Sequence, residues 1–138
     1  MRFLTLLVLV GVLMTQGCAV VAVGAVAAAA AGVTYTVLGT AEKTYEEDYD
    51  TVVAALQKAL AHLDIKTGDT KKTEENGKVV TTEIQAFARD LTIQISIERI
   101  SDKATRVVVD ASKKYVIKDA ATAGEILNQT TNNLPKKS

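Results

Sequence analysis

Beyond position 40 the hydrophobic residues follow first a helical and then a strand period. Tyr49, Val52, Val53, Leu56, Leu60 and Leu63 recur at spacings of three and four, which predicts an amphipathic helix over 49–63. Asp48 stands where an N-cap belongs, and Asp50 adds negative charge to the first turn. Residues 40–45 suit a short strand before this helix, and the polar, Lys-rich 65–73 suits an edge strand after it. Asn76-Gly77 is a strong two-residue hairpin signal. From 78 to 88 the period is two, with Val80, Thr82, Ile84 and Ala86 on one face. Leu91, Ile93, Ile95 and Ile97 then alternate with Thr92, Gln94, Ser96 and Glu98.

The register follows from turn length. A tight turn at Arg89-Asp90 sets Ile84 opposite Ile95 and Ala86 opposite Ile93. A loop at 101–103 sets Ile97 opposite Val107 and Glu98 opposite Arg106, and Val109 and Ala111 extend the same apolar face. Asp119 is placed to cap a last helix over about 120–132, with Ala123, Ile126, Leu127 and Thr130 inward. The expected fold class is α+β, in the order β-α-β-β-β-β-α. A mostly antiparallel sheet of four to five strands would carry two helices on one face. The polar outer face (Thr81, Glu83, Gln85, Thr92, Gln94, Ser96) can simply meet water.

The first forty residues have neither period. After Arg2 the next charge is Glu42, so positions 3–41 carry none. A positive start followed by an apolar run through Met14 has the layout of a secretory signal peptide, too short to span a bilayer by itself. Thr15-Gln16-Gly17-Cys18 resembles the lipobox of bacterial lipoproteins. In that pattern a small residue precedes a cysteine that is acylated on its thiol and becomes the mature N-terminus. Cys18 is the only cysteine in the chain, so no internal disulfide competes for it. Thr15 and Gln16 depart from the residues usual in that pattern. An uncleaved anchor helix and a plain secretory cut giving a soluble product therefore stay open. Residues 19–38 can be a tether near the lipid surface, a membrane helix with Gly24, Ala28 and Gly32 as a small-residue face, or a segment packed on the domain.

Charge balance changes the picture once Arg2 is set aside: the rest of the chain, domain and tail together, then holds 15 basic against 16 acidic residues. That excludes a strongly basic nucleic-acid binder. Residues 103–118 carry five basic groups against one acidic, and Lys113, Lys114 and Lys118 are candidates for contact with anionic headgroups or an acidic partner. His62 is the only histidine, at a helix C-terminus, so a histidine-based metal or nucleophile centre cannot be built within one chain. Glu46-Glu47-Asp48 could be read as a cation site or as helix capping. No serine lies in a Gly-x-Ser-x-Gly elbow, and there is no phosphate-cradling glycine loop. No enzyme activity, cofactor or metal is expected.

Several elements together resemble a family of small bacterial lipoproteins known as domain of unknown function 3568. They are Gly17-Cys18-Ala19, the Ala/Gly/Val stretch, Tyr35 with Gly39, the helix repeat from Val52 to Leu63, the strand Leu91-Thr92-Ile93-Gln94-Ile95 and the terminal helix. The glycine-rich turn expected before that helix is replaced here by Lys113-Lys114-Tyr115. The resemblance implies a place and no reaction, with Ala19 suiting outer-membrane sorting. The expected organisation is a signal peptide over 1–17, lipidated Cys18 with a tether over 18–39, an α+β domain over 40–134 and a tail over 135–138. The expected role is that of an envelope lipoprotein presenting a non-enzymatic binding or structural domain to the periplasm. Its partners would be the bilayer, through acylated Cys18, and an envelope protein. The competing expectations are an oligomeric membrane-embedded subunit and a soluble secreted domain.

Overall fold

The computed structural model describes residues 32–36, 39–114 and 117–137. The elements in chain order are β1 (Thr34–Tyr35), β2 (Ala41–Tyr45), α1 (Tyr49–His62), β3 (Lys66–Glu75), β4 (Lys78–Ala88), β5 (Leu91–Ser101), β6 (Ala104–Lys113), β7 (Ile117–Lys118) and α2 (Ala120–Asn133). The strands form one sheet in the order β1-β2-β6-β5-β4-β3, with β7 also on β6, and every neighbouring pair is antiparallel. The α+β class stands, with seven strands in place of four or five. The two additional strands are two residues each, too short for an alternation to register.

The pairings follow the turns. Asn76 and Gly77 both take positive φ, as a tight two-residue hairpin of matching twist requires. Ile84 pairs with Ile95, Ala86 with Ile93, Ile97 with Val107 and Glu98 with Arg106. The inward set Ile84, Ile93, Ile95, Ile97, Val107 and Val109 is buried, and Leu56, Leu60, Ile126 and Leu127 of the two helices close over it. Both helices therefore cover one face. Each is capped as its sequence indicates. Asp48 accepts from the Thr51 amide at 3.0 Å and Asp119 from the Thr122 amide at 2.9 Å. The Thr51 hydroxyl and amide hold the Asp48 carboxyl below its ordinary range.

The domain reaches further back than position 40. Val33 is buried in the core and Thr34–Tyr35 joins the sheet edge, turning into β2 through Gly39 at φ +75°. The distal part of the expected tether over 18–39 is thus part of the fold. It was hidden because Val33 and Tyr35 extend an apolar run that has no polar alternation to mark its end.

Tyr45 ties the first edge to α2. Its hydroxyl donates to the Leu127 carbonyl at 2.8 Å within the core, and burial pushes its pKa from 10.0 up to about 12. The native state therefore keeps the phenol proton where the unfolded chain releases it. This stabilisation is complete below pH 10 and is lost as pH rises from 10 through about 12. We expect a loss of about 2 kcal/mol across that window. Denaturant titrations at stepped pH should show Tyr45→Phe with a flatter profile, and parallel profiles would reject the assignment.

Candidate functional site

Cys18, the lipobox-like residues, and the signal and tether segments up to residue 31 lie outside the described residues. Among the described residues no helix is long and apolar enough to cross a membrane.

The lysine cluster falls on the β6–β7 hairpin, where Ser112 pairs with Lys118 and Lys113 with Ile117. Two of its three cations already hold a carboxylate. Lys113 is ion-paired with Asp90, which lowers the Asp90 pKa. Lys118 donates to Asp110 at 2.7 Å, and the Thr40 hydroxyl reaches the same carboxylate at 3.4 Å. Among the described residues no carboxylate pairs with Lys114, which sits at the turn with φ +51°. The hairpin is therefore far less basic than its sequence, because the compensating aspartates lie on β6 itself and at the β4–β5 turn. Ile117 beside it is 66% exposed.

Other candidates are absorbed by structure. His62 is exposed in the last turn of α1. Asp48 is engaged as a cap, Glu47 meets Lys137 at 3.2 Å, and the Glu47 carbonyl accepts from the buried Thr105 hydroxyl at 3.0 Å. Among the described residues no group of His, Cys, Asp and Glu could hold a metal ion. On the outer face Arg106 binds Glu42 through two hydrogen bonds of 2.9 and 2.8 Å and approaches Glu98 at 3.6 Å. Glu42 raises the Arg106 pKa further, and this exposed network orders three strands at small net gain.

One concave feature among the described residues is a cavity of about 590 Å³ where three element ends meet: the end of α1, the β4–β5 turn and the first turns of α2. Leu63, Ile65, Ala88 and Leu91 give it an apolar floor, and Phe87, 43% exposed, stands at its edge. A second hollow of about 360 Å³ lies along the flank of α1 beside Val53 and Leu60, and Ile65 borders both. Their joint cause is the sheet's excess width. The inward residues of β3 that border the hollow are Thr67, Thr70 and Lys72, so that strand gives no apolar face for a helix to cover. The volume lies in the range of small-ligand sites.

Local backbone shapes the mouth of this cavity. α1 ends with the Ile65 amide donating to the Leu60 carbonyl at 2.9 Å and the Asp64 amide to Ala61 at 3.2 Å. That is a Schellman closure whose left-handed residue is Asp64, φ +54°, where glycine is usual. Arg89 in the β4–β5 turn also holds φ +54°. The chain pattern gave no sign of this site, since a cavity made from three element ends leaves no periodic trace.

A family model described as a protein of unknown function (DUF3568) matches residues 2–129. No curated protein matches the chain.

Proposed function

We propose that this chain, which belongs to the DUF3568 family of proteins of unknown function, is a lipid-anchored protein of the cell envelope. Its small non-enzymatic α+β domain would work in binding or structural support at the outer membrane, facing the periplasm. The observation that carries the reading is the position of the single cysteine. Cys18 follows the apolar run closely, and Val33, the first core residue among the described ones, follows it by fifteen positions. Extended at about 3.3 Å per residue, that spacing can stand the domain up to roughly 50 Å from its acyl group. At about 0.8 kcal/mol per buried methylene, two or three acyl chains hold such a domain stably on a bilayer. The family match, reaching from residue 2 into α2, treats the leader and the domain as one unit.

The membrane-subunit alternative loses ground on length. With Thr34 and Tyr35 in the sheet, at most residues 19–32 are left for a mature span. As a helix they would reach about 21 Å, short of the roughly 30 Å of hydrocarbon.

Mass spectrometry of the mature protein from bacterial membranes tests the proposal. A diacylated or triacylated Cys18 at the N-terminus is the expected result. An intact Met1, or an unmodified start within 20–32, overturns it.

A further inference from the structure

The charges around the larger cavity are sorted by wall. Asp64 and Glu125 stand on the helix side, Asp64 at the C-terminal, electronegative end of α1. Lys66 and Arg89 stand on the strand side. All four border one cavity, yet among the described residues no ion pair joins any of them. Between the poles lies the aliphatic floor of Leu63, Ile65 and Leu91, and Ile65 also borders the hollow beside α1.

Two of the four charges also occupy backbone positions that cost stability. Asp64 and Arg89 hold left-handed φ where glycine would be accommodated without steric penalty.

We propose that this cavity binds a single-chain amphiphile with a zwitterionic headgroup. Its anionic group would lie against Lys66 and Arg89, its cationic group against Asp64 and Glu125, and its chain over Ile65 into the hollow beside α1. A purely anionic head would face two carboxylates, and a purely cationic head would face two cations. An uncharged head would engage none of the four, which are exposed to water, Glu125 also accepting from Gln129 at 2.8 Å. The proposal depends on the membrane-anchored reading only for the supply of lipid, since the site itself needs no acylated Cys18.

The test uses the full chain in neutral maltoside micelles. The probe is lysophosphatidylethanolamine with a photoreactive acyl chain, and adducts are mapped by mass spectrometry. Labelling is expected to concentrate in peptides covering 60–66 and 87–91. Unlabelled lysophosphatidylethanolamine should compete about tenfold better than lysophosphatidylglycerol or a monoacylglycerol of the same chain. The double variant Asp64→Gly, Arg89→Gly should label about tenfold less while its Tm holds or rises. Adducts spread over the chain, equal competition by the three lipids, or undiminished labelling of the variant would each overturn the proposal. Capture by a chain whose Cys18 is unacylated would keep this site and remove the anchor. An acylated chain that captures nothing would do the reverse.

Discussion

Ile95→Ala is expected to cost about 3–4 kcal/mol and to lower Tm by roughly 15–25 °C for a domain of this size. Ile95 sits mid-way along β5, paired with Ile84 on one side and Val109 on the other, and all three are buried. Truncation removes the transfer free energy of three carbons and leaves a void beneath α1 that a pleated sheet, held by hydrogen bonds on both sides, cannot close. With total stability on the order of 5–15 kcal/mol, the loss is a large share. Gln94, one position away, points to the solvated face, and Gln94→Ala should change stability by no more than about 0.5 kcal/mol. Urea titrations of both variants decide the matter. Similar midpoints would mean that the β5 alternation does not define the buried face.

That contrast shows why the sheet was legible in the sequence. A two-residue turn at Arg89-Asp90 and a strict alternation from Leu91 leave one register in which Ile84, Ile95 and Val109 share a face. The caps were legible for a similar reason, because Asp48 and Asp119 stand next to periodic apolar runs. What the pattern missed lacks period. Strands β1 and β7 have two residues each, and Tyr35 lies in a stretch without charge or alternation. The lysine cluster read as a basic patch because sequence proximity cannot reveal that Asp90 stands beside Lys113 in space, or that the β6–β7 pairing turns Lys118 onto Asp110. The cavity was invisible because its poles, Asp64, Lys66, Arg89 and Glu125, come from three separated segments.

One residue of α2 did carry a local sign. Gly124 sits inside the helix, where glycine costs about 1 kcal/mol relative to alanine. Nothing in the helix's own geometry asks for it. The reason is Tyr35. A Cβ added at Gly124 would meet the Tyr35 Oη at 2.0 Å and its Cζ at 2.9 Å, closer than side chains pack. The phenol ring of β1 therefore rests directly on the helix backbone, and this contact, with the buried Val33, fastens the start of the fold to its last helix.

Gly124→Val should accordingly destabilise the domain by about 2–3 kcal/mol, the clash outweighing the propensity gain. The loss should begin at one place. Because β1 is two residues long and pairs only with β2, displacing Tyr35 costs Thr34–Tyr35 its place while β4, β5 and β6 keep theirs. Hydrogen exchange should then show lost protection near β1 and native protection along β5. Adding Tyr35→Ala removes the group that clashes, so the double variant should be more stable than Gly124→Val alone, with a coupling of about 1–2 kcal/mol. Additive effects, or a Gly124→Val protein as stable as the parent, would mean that Tyr35 does not pack on this helix. The start of the domain would then be held by Val33 and the β1–β2 pairing alone.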